Sequence, residues 1–157
     1  MHIGCGTMDA MSTAATSPAG PRPTSPDEGS IRAFTALVGV TSLGVLVLAV
    51  LAGGFVNQSG RDGWVTAHGI AADVTVLVAL ATAAFAVFRL RATQRSLTLG
   101  AVALLVLLVV QTALGHAIND ARRLTLIHVP LGMLIFGLAV YLSAAAARLG
   151  RGAGTIR

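Results

Sequence analysis

Four apolar runs, each about as long as a bilayer is thick, dominate this chain of 157 residues. They extend from about Ala33 to Val56, Trp64 to Phe88, Leu97 to Ile118 and Leu124 to Ala147. A hydrocarbon core of about 30 Å is crossed by roughly 20 helical residues. The connections are only about 5 to 9 residues long, and loops that short join neighbouring helices. The expected fold is therefore all-α, an antiparallel four-helix transmembrane bundle spanning residues 31–149. No room is left for a large domain outside the membrane.

Composition points the same way. Hydrophobic residues make up 55% of the chain and charged ones 11%, where a soluble domain carries about 25% charged residues. Aromatics are 4%, too few for the aromatic girdles of a membrane β-barrel. The net charge of +5 comes from eleven arginines and no lysine. In a soluble protein that balance would suggest nucleic acid, but these arginines sit in the gaps between apolar runs, where they orient helices. No nucleic-acid partner is expected; the lipid bilayer is.

Arg22, Arg32, Arg89, Arg91, Arg95, Arg148, Arg151 and Arg157 fall on one side of the expected topology, and Arg61, Arg122 and Arg123 on the other. By the positive-inside rule both termini lie in the cytoplasm, in a multi-pass protein of the cell membrane. Residues 1–30, rich in Pro, Ser and Thr (SPAGPRPTSPDEGS), are expected to be a disordered tail, and 150–157 a short basic one. Met8 and Met11 are alternative starts. Cys5 stands alone, so no internal disulfide or CxxC pair is available.

Three histidines lie within the runs, all near one end of the bundle: His68 about a turn into the second helix, His116 in the last turn of the third, His128 about a turn into the fourth. Polar side chains in a spanning helix cost free energy and usually face a bundle interior or cavity. Three at one depth mark a candidate site. Each one singly also suits an interfacial residue bonded to a carbonyl or water. Imidazole binds haem iron, zinc and copper. Two imidazoles from facing helices can sandwich haem, given room for the macrocycle. Gly132 lies a turn below His128, Ala71 and Ala72 a turn below His68, and Gly115 beside His116 with Thr112 a turn back. These small residues are expected to supply that room. Arg61, Arg122 and Arg123 would meet the propionates, although arginines there also simply end helices.

Asp73 is the one acid inside an apolar run. Five residues from His68, it points about 140° away on an ideal helix, so a cross-helix partner such as Gln111 or Thr112 is expected instead. Pro130 lies near the start of the fourth helix, where a missing amide proton costs least. No nucleophile-and-base set, phosphate loop or HExxH is present, and the four helices show no sequence repeat.

The segment QTALGHAINDARRLTLIHVPLGMLIFGLAVYL, residues 111–142, resembles the end of one four-helix half of the haem A synthase family. Gln111, Leu114 and Gly115 match its Q-x-x-L-G, and His128 matches the histidine opening its next helix. WVTAHGIAADV places His68 where that family has its other haem ligand. The resemblance implies haem held by paired histidines on the outer side. The family has two such halves, whereas this chain has one. Val65 stands where the family has its catalytic acid, and the paired outer cysteines are missing, so oxidation of a haem methyl group is not carried over. The chain also resembles small uncharacterised four-helix membrane proteins of actinobacterial type, which imply no activity.

The leading expectation is one b-type haem, held by His68 and His128 with His116 in the pocket or as a substitute ligand, serving electron transfer or haem handling. A cofactor-free accessory subunit is the first alternative, and a three-histidine transition-metal site the second. A redox or other membrane-protein partner and a homo-oligomer both stay open.

Overall fold

The computed structural model describes residues 28–56, 61–118 and 122–154, and those residues form four long helices. They are α1 (Glu28–Val56), α2 (Arg61–Phe85), α3 (Arg95–Ala117) and α4 (Thr125–Gly154). A π-helical turn at Ala86–Leu90 extends α2, and a 3-10 turn at Arg122–Leu124 leads into α4. All four are long and apolar enough to cross a membrane. Residues 1–27 and 155–157, and with them most of the expected tails, lie outside the described residues.

The helices outrun their expected limits because helix formation does not stop where hydropathy does. α1 begins at Glu28, an acid in the first turn that suits the helix dipole and accepts a bond from Arg32 one turn later at 2.6 Å. α4 runs seven residues past Ala147, to Gly154. Pro130 sits inside α4, so Leu126, four residues before it, loses the amide its carbonyl would normally meet.

What holds the bundle together is a repeat of three- and four-residue steps on each helix. The buried positions include Ile31, Phe34, Val38, Thr41 and Val45 on α1, and Thr75, Ala79, Thr82, Ala86 and Leu90 on α2 and its π-turn. On α3 they include Leu97, Ala101, Leu104 and Leu108, and on α4 Ile135, Ala139, Leu142 and Ala146. That spacing keeps one stripe per helix facing the interior, in the manner of left-handed bundles. Each helix packs on the next, and α4 closes back on α1, so α2 and α4 stand diagonally across the interior, as do α1 and α3.

On α2 and its π-turn, polar residues recur every seven positions on the side facing α1: His68, Thr75, Thr82 and Arg89. As the numbers rise along α2, the partners on α1 fall. His68 meets the Leu48 carbonyl, Thr75 lies against Gly44, Thr82 meets Thr41 at 3.3 Å, and Arg89 donates to Ser30. Lipid offers no hydrophobic drive for helix association, so such close approaches and hydroxyl contacts are what hold spans together. Ser42 and Ser143 make a similar link from α1 to α4 at 3.2 Å, and Thr98 of α3 donates to the Ala86 carbonyl in the π-turn.

Candidate functional site

Toward one end of the bundle the inward stripes change chemistry. Continuing the three-and-four spacing past Thr75, Leu108 and Ile135 leads to His68 on α2, Gln111 and Gly115 on α3, and Gly132 and His128 on α4. These residues occupy positions that hold leucine, alanine or isoleucine elsewhere, and all are half-buried.

Three contacts fix their arrangement. His68 donates from Nδ1 to the Leu48 carbonyl of α1 at 3.0 Å, which sets its tautomer and leaves the lone pair on Nε2. Gln111 donates from Nε2 to the His128 carbonyl at 2.8 Å, tying α3 to α4. The His128 ring lies over Gly115, where a Cβ would come within 3.3 Å of its Cε1. His68 and His128 come from helices that stand diagonally across the interior. Trp64 closes this end by laying its ring on Gly54 of α1, where a Cβ would stand 2.5 Å from it.

Two buried atoms in the cluster, His128 Nδ1 and Gln111 Oε1, have no hydrogen-bond partner among the described residues. Leaving such an atom unmet costs about 1–3 kcal/mol, so a coordinating or hydrogen-bonding guest is favoured here. The donor set suits haem iron. The expected space does not follow from it, because the notches that were to admit a macrocycle hold this chain's own side chains. Gly115 holds the His128 ring. Gly132 holds the Gln111 amide, whose Nε2 would lie 3.0 Å from a Cβ.

His116 does not join the pair. It is exposed and donates from Nδ1 to the Thr112 carbonyl of its own helix at 2.9 Å. Five residues beyond the inward Gln111, it stands about 140° round the helix. Among the described residues no three metal-ligating side chains come together. Asp73 makes none of the expected cross-helix bonds. It is exposed, and with Val76, Leu77, Val109 and Thr112 it lines an open groove of about 300 Å³ between α2 and α3. Arg123 is exposed at the histidine end. Arg61 opens α2 and Arg122 opens the 3-10 turn at that same end, while their side chains lie outside the described set. Sequence reading overlooked Leu48, whose carbonyl orients His68, and no side-chain pattern signals a backbone acceptor.

No protein-family model, curated protein or solved structure matches the chain. What the fold and site define is a class: a protein with four helices able to cross a membrane and a half-buried pair of histidines on diagonal helices at one end.

Proposed function

We propose that this is a multi-pass cell-membrane protein, an antiparallel bundle with both termini cytoplasmic, which holds one b-type haem between His68 and His128 at its outer end. The observation that carries this reading is the orientation of His68. With Nδ1 committed to the Leu48 carbonyl, the lone pair of the His68 ring lies on Nε2, and His128 stands on the diagonal helix at the same end of the bundle. A backbone carbonyl on the far nitrogen of a metal-binding histidine is the usual way of fixing its ring.

Haem iron with two imidazole ligands supplies one-electron transfer. The residues of this chain bind and orient. His68 and His128 would hold the iron, Gln111 steadies the turn carrying His128 before the group is seated, and Arg61, Arg122 and Arg123 would offer cations to carboxylates at that end. Seating a macrocycle requires the His128 ring and the Gln111 amide to leave their glycine notches. The role is electron transfer or haem handling.

The filled notches favour a second reading, a cofactor-free accessory subunit in which small residues serve only packing. An absorption spectrum of the protein purified in mild detergent, oxidised and reduced, separates the two. Sharp reduced α and β bands that are lost in His68→Ala and His128→Ala support haem, and a colourless protein supports the accessory subunit.

A further inference from the structure

The end of the bundle opposite the histidines carries a second feature, independent of the haem reading. Between the start of α3 and the last turns of α4 lies a cavity of about 390 Å³. Leu142 closes it toward the membrane centre by pressing onto Gly100 of α3, where a Cβ would stand 2.5 Å from Leu142 Cδ2. Its walls there are Leu97, Leu142 and Leu149, and its rim is Gln94, Ser96 and Arg148.

The rim carries an exposed cation. Arg148 is exposed and makes no ion pair or hydrogen bond among the described residues. Arg91 and Arg95 stand at the same end, and the one described acid there, Glu28, is bonded to Arg32. α3 begins at this rim with no side-chain cap from Gln94, so its first-turn amides add partial positive charge. A cationic rim above an apolar trough, open to the bilayer between two spanning helices, is complementary to a molecule with a phosphate head and an acyl tail.

We propose that this groove binds one anionic glycerophospholipid, its phosphate on Arg148 with Gln94 and Ser96, and its acyl chain along Leu97, Leu142 and Leu149. Guanidinium forms paired hydrogen bonds to phosphate oxygens. A zwitterionic phosphatidylcholine brings a quaternary ammonium into the same arginine field and is disfavoured. Inorganic phosphate lacks the tail that the trough accommodates.

The test uses the full chain in nanodiscs of phosphatidylcholine alone or with added phosphatidylglycerol, reading thermal stability and, by native mass spectrometry, retained lipid. Phosphatidylglycerol is expected to raise the melting temperature and to be retained at one molecule per chain, while inorganic phosphate in phosphatidylcholine discs does neither. Arg148→Gln should weaken retention by about tenfold, the usual loss for one charge-assisted phosphate contact. Ala145 also lines the trough, and Ala145→Leu, which fills it without changing charge, should weaken retention as well. Arg91→Gln, with the same charge change outside the groove, should leave it intact. Equal losses in Arg91→Gln and Arg148→Gln, full retention in both groove variants, or equal stabilisation by inorganic phosphate would each overturn the proposal.

Discussion

The Gln111 amide donates to the His128 backbone carbonyl at 2.8 Å, and it reaches that carbonyl only because Gly132 has no side chain in the way. A Cβ at Gly132 would lie 3.0 Å from Gln111 Nε2. One interhelical bond and one missing methyl group therefore form a single device. Gly132→Ala and Gln111→Ala should each destabilise the protein by about 1 kcal/mol, as interhelical side-chain bonds in membranes do. The double variant should cost little more than either alone, since both remove the same contact. Unfolding in mixed detergent micelles measures all three.

Gly44 of α1 faces Thr75 of α2, with a Cβ position only 2.6 Å from Thr75 Oγ1. Thr75 is buried and already donates to the Ala71 carbonyl at 2.7 Å, so its side chain has little freedom to move away. Gly44→Ala should force α1 and α2 apart and cost about 1–3 kcal/mol, the range for overpacking. Gly39→Ala, a position with open space around it, should be nearly silent in the same unfolding assay.

Thr41 and Thr82, both fully buried, share a bond between hydroxyls at 3.3 Å in the centre of the α1–α2 stripe. A double-mutant cycle with Thr41→Val and Thr82→Val should give a coupling of about 0.6 kcal/mol, typical of such pairs in a bilayer. A coupling indistinguishable from zero would show that the stripe is held by close packing alone.

Much of this architecture is legible in the sequence, because membrane solvation writes itself into hydropathy. The four long apolar helices follow from length and composition, as does the placement of His68 and His128 toward one end of the bundle. Rotation about each helix axis is what depth cannot give. His116 shares the level of the pair yet points away, because at 100° per residue it cannot face inward together with Gln111 five positions earlier. The same arithmetic separates Asp73 from His68. The three-and-four repeat is visible only once the buried residues are known, since alanine, valine and leucine fill inward and outward faces alike. Helix ends are poorly written too. Glu28 and Arg148 belong to helices because polar residues continue a helix beyond the apolar span.

Asp73 opens onto a groove at the bundle surface, within a helix of membrane-spanning length, with no hydrogen bond or ion pair among the described residues. A carboxyl in that setting is expected to be reachable by an apolar carbodiimide from the lipid phase. Dicyclohexylcarbodiimide should modify Asp73 in membranes, Asp73→Asn should abolish the adduct, and Asp62, exposed at the start of α2, should react far less. Peptide mass spectrometry reads the adduct directly.

The most direct measurement is a haemin titration of the detergent-purified chain, following the Soret band to saturation in the wild type and in three alanine variants. The account predicts one haem per chain with a reduced spectrum of two nitrogen ligands, loss of binding in His68→Ala and His128→Ala, and wild-type binding in His116→Ala, whose ring faces away. Failure of the wild type to saturate at one haem, or equal binding by all three variants, would contradict it.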